Sequence, residues 1–76
     1  MTPTETTRLL AIARACYPAM TMPAGIDAVW HELLADLDYS EAEAAVLTHA
    51  KIETRIVTIA DIRTGVSKAK RPWKEW

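Results

Sequence analysis

Phenylalanine is absent from this chain, cysteine occurs once, glycine twice and proline four times. The lone Cys16 excludes an intrachain disulfide and fits a reducing compartment. So little glycine and proline argues against a low-complexity or loop-dominated chain and leaves helix as the favoured local structure. Long apolar runs are missing too. The longest uncharged stretch, residues 15–26, is too short to span a bilayer and contains Pro18 and Pro23. The opening Met1-Thr2-Pro3-Thr4-Glu5 has neither a basic n-region nor an apolar h-region, so no signal peptide and no membrane partner are expected, and the reading is cytoplasmic. No glycine-rich phosphate loop and no internal repeat is legible. His31-Glu32 would open a zincin helix, but the second histidine would fall on Ala35, and Cys16, His31 and His49 match no zinc spacing. Paired carboxylates for acid–base catalysis need a cleft, and no feature of the sequence points to one. The expectation is therefore a non-enzymatic chain with no catalytic residue, no metal and no cofactor.

What is present suits one small globular domain. Half of the 76 residues are apolar, enough to exclude disorder but only enough for a single modest core. The net charge of −1 hides a lopsided distribution. Residues 1–50 carry two basic against seven acidic side chains, a net of −5, whereas residues 51–76 carry seven basic against three acidic, a net of +4. An acidic body with a basic end marks either a charged partner or a contact within the molecule.

Apolar periodicity predicts an all-α bundle of three main helices, a short fourth and a basic C-terminal tail. The first helix starts near Thr4, buries Leu9, Ile12, Ala13 and Cys16, and ends before Pro18. The second runs from about Gly25 to Leu37. Ile26, Val29, Trp30, Leu33, Leu34 and Leu37 give it the clearest amphipathic stripe, and Trp30, Leu33, Leu34 and Leu37 are expected at the centre of the core. The third starts at Ser40 with a capping box to Glu43 and ends near Ala50 or Lys51. Its alanines would let another helix approach closely. Residues 52–57 read as a loop burying Ile56 or Val57. Thr58 and Asp61 form a second capping signature, opening a fourth helix from Ile59 to about Ser67 that Gly65 weakens by about 1 kcal/mol relative to alanine. The domain division expected is 1–67 for the helical body and 68–76 for the tail.

Two groups of side chains stand out as candidates for partner binding. Glu32 and Asp36 sit four apart near a helix C-terminus, where they repel each other and oppose the dipole, and Asp38 follows; together they read as an acidic patch for a basic partner. The plainer alternative is a solvated face, or relief by the chain's own basic end. Lys68, Lys70, Arg71 and Lys74 interleave with Trp73 and Trp76, the combination of cations and stacking surfaces that holds single-stranded nucleic acid. The plainer alternative there is that tryptophan folds back on the bundle. A helix-turn-helix made of the third and fourth helices would have only Arg63 and Lys68 to meet phosphate, which is poor for the purpose.

With these residues laid out, the chain resembles the phage replicative-helicase loader/inhibitor family. The resemblance rests on Leu9-Leu10, Tyr17-Pro18, Trp30 with Leu33, Asp36-Leu37-Asp38-Tyr39, Ala45-Val46 with His49, and Thr58-Ile59-Ala60-Asp61-Ile62-Arg63. It covers roughly residues 7–64, with Val57 where the family usually has proline. The resemblance implies a helical N-terminal domain and a flexible C-terminal segment implicated in helicase contact, for which this sequence offers about residues 66–76. It implies a non-enzymatic phage replication protein that binds a hexameric replicative helicase, holds it inactive and helps deliver it to the origin. Two alternatives stay open on the residues alone: a nucleic-acid-binding module using the tail, and a structural homo-oligomer in which the acidic body of one copy takes the basic tail of another.

Overall fold

Thr2 sets the start of the first helix. In the computed structural model, which describes residues 1–70, the Thr2 hydroxyl accepts from the Glu5 amide (3.1 Å) and the Glu5 carboxylate accepts from the Thr2 amide (2.8 Å). This reciprocal cap, with Pro3 in the first helical position, opens α1, Pro3–Cys16. Helix α1 stops before Pro18, as the steric restriction on the residue preceding proline predicts. Gly25 then takes φ +85°, a left-handed conformation that glycine adopts without a Cβ penalty, and turns the chain into α2, Ile26–Leu34.

Helix α2 ends three residues before the expected Leu37. Two neighbours end it. The Leu37 amide bonds the Leu34 carbonyl in a tighter turn (2.9 Å), and the Met1 ammonium donates to the carbonyls of Ala35 (2.6 Å) and Leu37 (2.9 Å). A cation at a helix C-terminus satisfies orphan carbonyls and complements the dipole.

The third helix does not begin with the predicted Ser40–Glu43 box. Asp38 is the N-cap of α3, Tyr39–Ile52, with its carboxylate accepting from the Glu41 amide (3.4 Å) and the Ser40 hydroxyl. Aspartate caps as well as serine and adds a favourable charge, so the earlier residue wins. Glu43 accepts instead from the Tyr39 hydroxyl (2.9 Å). The second predicted box is present: the Asp61 amide donates to the Thr58 hydroxyl (3.2 Å) and the Thr58 amide to the Asp61 carboxylate (2.9 Å). It opens α4, Ile59–Lys70, which at twelve residues is longer than the nine-residue α2 and passes the expected end at Ser67. Residues 53–58 form a loop that buries Val57 and leaves Ile56 exposed.

The expected all-α class is the observed one, and among the described residues there is no strand. Helix α1 packs on α2 and α3, and α4 packs on α3 and to a lesser extent α2. Leu9, Leu10, Ala13, Trp30, Leu34, Val46 and Ile62 fill the centre, closed at one end by Tyr17, Met20 and Val57. Trp30 and Leu34 are buried as expected, and Ile12, Leu37 and Ile59 are half-buried at the margin. Leu33 departs from expectation, being 48% exposed, with Val29 at 52% beside it. The apolar stripe on α2 is wider than the strip its neighbours cover. Those neighbours centre on Trp30 and Leu34, and the flank carrying Val29 and Leu33, also four apart, is left out. Helices α3 and α4 run antiparallel and close: a Cβ on Gly65 would stand 3.0 Å from the Cβ of Ala45, so glycine here permits the approach. Among the described residues no helix is long and apolar enough to cross a membrane.

Candidate functional site

Two of the three carboxylates expected to form an acidic patch have structural work inside the molecule. Arg63, twenty-seven residues away, grips Asp36 with both arms, Nη1 to Oδ1 at 2.8 Å and Nη2 to Oδ2 at 2.9 Å, and also donates from Nη1 to the Leu33 carbonyl at 2.9 Å. The hydrogen bonds from Arg63 hold the Asp36 carboxyl below its ordinary pKa. The bond from Ser40 does the same for Asp38, followed by that from the Glu41 amide. The chain's basic half thus relieves the local repulsion through Arg63 on α4. Glu32, the third member of the expected patch, is exposed on α2.

Of the basic group, Lys68 is exposed on α4 and Lys70 is the last residue of that helix. Arg71, Trp73, Lys74 and Trp76 lie outside the described residues.

A concave feature of the described surface lies elsewhere, along the antiparallel pair α3 and α4. It is an open groove of about 720 Å³ whose wall is more apolar than polar. Ala44, Thr48 and Ile52 line it from α3, and Ala60, Thr64 and Ala69 from α4. Each of these side chains is exposed, and Ile52, at 76%, is the most exposed large apolar residue of the described chain. Leu47 and Ile56, at 42% and 40%, add exposed apolar surface on α3 and on the loop that follows it.

A polar network makes one end of the groove rigid. Asp61 accepts from both arms of Arg55 (2.8 and 2.9 Å) and from the amide and hydroxyl of Thr58 (both 2.9 Å). These bonds, the Arg55 guanidinium first among them, drive the Asp61 carboxyl far below the ordinary carboxylate range. His49 Nε2–H donates to the Arg55 carbonyl (3.1 Å), and its ring meets Tyr17 edge-on with centroids 6.1 Å apart. The Tyr17 hydroxyl donates to the Glu53 carbonyl (3.0 Å). The loop between α3 and α4 is thereby pinned at three carbonyl or carboxylate positions, and the Glu53 side chain is left at the mouth of the groove.

Such an arrangement can hold a partner by shape and by peripheral charge. Among the described residues no three His, Cys, Asp or Glu side chains gather as a metal site, and Cys16 is half-buried on α1. Sequence reasoning missed the groove because it assigned apolar helix residues to the interior. The available signal was the spacing of Ala44, Thr48 and Ile52 on α3, four apart on a face distinct from that of Ala42 and Val46.

Comparison with known proteins bears on the same residues. A family model for the N-terminal domain of a phage helicase loader/inhibitor matches residues 1–63, a span that takes in α1, α2, α3 and the first turn of α4. No curated protein and no solved structure matches the chain.

Proposed function

We propose that this chain, which belongs to the family of phage helicase loader/inhibitor N-terminal domains, is a replication accessory protein that binds a replicative helicase. The reading is non-enzymatic: the domain acts by occupying a surface of the helicase and restraining it. The observation that carries this proposal is the family match over residues 1–63, most of the helical body. The geometry supports it in kind. A small, well-capped bundle that leaves Ile52, Leu47 and a concave groove uncovered suits recognition of protein rather than chemistry on a small molecule.

The test is direct association of the purified chain with the hexameric helicase of its host, followed by sedimentation and by the helicase's ATPase and unwinding rates. A complex that slows unwinding is expected. Absence of a complex at tens of micromolar, the weak range for transient interfaces, would remove the proposal.

A further inference from the structure

We propose that α2 is a conformational device: it opens as a unit while α1, α3 and α4 stay packed, and Arg63 is the latch that holds it shut. Four features set α2 apart. It is the shortest of the four helices, and a helix this short is marginal without tertiary support. It starts on Gly25 with no side chain bonded to its first amides, whereas Thr2, Asp38 and Thr58 cap the other three. It rests on α1 and more thinly on α4, and it makes no packing contact with α3 among the described residues. Its outer flank, Val29 and Leu33, is left uncovered. Helix α3, in contrast, packs on both α1 and α4, so an open α2 leaves a connected three-helix body behind. Low contact density and an uncapped start mark a segment that opens below the cost of global unfolding.

What holds α2 comes from outside it and acts at its C-terminal end. The Leu33 carbonyl lies in the last turn, and the Leu37 amide, its helical partner by position, bonds Leu34 instead. Arg63 of α4 takes that carbonyl through Nη1 at 2.9 Å while both its arms clasp Asp36 just beyond the helix, at 2.8 and 2.9 Å. Both side chains of this clamp are exposed, a setting in which an ion pair is weak and sensitive to salt. The latch thus crosses the thinner of the two seams that α2 makes, and it is a bond that solution conditions can loosen. The closed form dominates, because opening uncovers the buried Trp30 and Leu34. In the open form these two join Val29 and Leu33 as uncovered apolar residues of the same helix. The latch therefore governs how much apolar surface the domain shows, and ionic strength sets the open fraction. This goes beyond the helicase reading and does not depend on it.

The test is native-state amide hydrogen exchange on the full-length chain, read residue by residue. After correction for intrinsic rates, the amides of Trp30 to Leu34 should exchange at least ~10-fold faster than those of Leu10 to Ala13 and Val46 to His49. Their rates should also respond more weakly to urea, because a local opening exposes less surface. Two variants then separate latch from bulk stability. Asp61→Asn weakens a network that stays intact when α2 opens, so it should speed α1 and α3 by ~5-fold or more and leave α2 unchanged. Arg63→Gln removes a bond lost in both local and global opening, so it should speed α2 by ~3-fold or more, and the other helices by the same factor. Raising NaCl from about 0.05 to about 0.5 M should speed α2 in the parent and not in Arg63→Gln. Equal rates and equal urea dependence in the three helices would overturn the proposal, as would an Asp61→Asn variant in which α2 speeds up as much as α3. An α2 rate unmoved by Arg63→Gln, or a salt effect that persists in that variant, would overturn the assignment of the latch.

Discussion

Replacing Asp61 by asparagine tests whether the capping network at the start of α4 holds the bundle through charge. In the wild type this carboxylate accepts four hydrogen bonds, two from Arg55 and two from Thr58. The Asp61 side chain is 18% exposed and that of Arg55 is 58% exposed, so the ion pair itself is largely screened. The Thr58 hydroxyl still caps the Asp61 amide in the variant, so most of the loss comes from the two Thr58 bonds that lose their charged acceptor. Weakening these charge-assisted bonds, together with the Arg55 contact, costs about 1–2 kcal/mol in total. In a domain of this size each kcal/mol moves Tm by roughly 4–8 °C, so the variant should melt about 5–15 °C lower at neutral pH.

The pH dependence makes the test sharper. The folded carboxyl lies well below its unfolded value of about 3.9, so its contribution is complete above that value and declines as pH falls toward the folded one. The gap in Tm between wild type and Asp61→Asn should therefore be constant from about pH 7 to 5 and narrow progressively below about pH 4. Asp36 and Asp38 are also depressed, but they titrate in both proteins and cancel in the difference. Arg55→Gln separates the two contributions: it keeps the Thr58–Asp61 box and should lose less, by an amount that added salt reduces. A gap for Asp61→Asn that stays the same down to about pH 2.5 would refute the charge argument.

Other substitutions probe the packing. Leu34→Ala at a fully buried site should cost about 2–5 kcal/mol, a large share of the roughly 4–11 kcal/mol available to a chain of this length, and urea titration should show a partly unfolded protein in buffer. Gly65→Ala gains about 1 kcal/mol of helix propensity but places its Cβ 3.0 Å from that of Ala45, and it should be net destabilising. Ala45→Gly in the same chain should then recover stability beyond additivity, read as a favourable coupling in a double-mutant cycle. Thr6 is fully buried, and its hydroxyl donates to the Thr2 carbonyl (3.2 Å) while standing 3.0 Å from His31 Nδ1. Thr6→Val strips the imidazole of that partner and should cost about 1 kcal/mol in thermal denaturation.

Much of the architecture was readable because it is local. The end of α1 follows from Pro18, the start of α4 from the Thr58–Asp61 box, and the close approach of another helix to α3 from its alanines, though not that the helix would be α4. The failures share one cause, competition from residues outside the local pattern. Ser40 looked like a cap because Ser-x-x-Glu is a capping signature, yet Asp38 two residues earlier was the better anion for a helix N-terminus. Helix α2 read as running to Leu37 because its apolar spacing continues that far, and spacing carries no trace of the Met1 ammonium that takes the carbonyls of Ala35 and Leu37. The Asp36–Arg63 pair joins the end of α2 to α4 and could be anticipated only as an imbalance of charge seeking relief.

The candidate interface was hidden for a different reason. Periodicity identifies which residues of a helix share a face, not whether a neighbour exists to cover that face. Helix α3 carries two faces of short apolar residues, one through Ala42 and Val46 and one through Ala44, Thr48 and Ile52, and the first alone is buried against the other helices. Four helices this short cannot enclose every apolar stripe they present, so some must remain outside. On α2 the leftover stripe of Val29 and Leu33 lies beside the Arg63–Asp36 clamp, with Glu32 exposed between them in sequence. Between α3 and α4 the leftover stripe is concave and backed by a loop pinned through Tyr17 and His49. Concavity and a hydrogen-bonded backing occur together there, and that coincidence separates this stripe from apolar residues that the fold merely failed to bury.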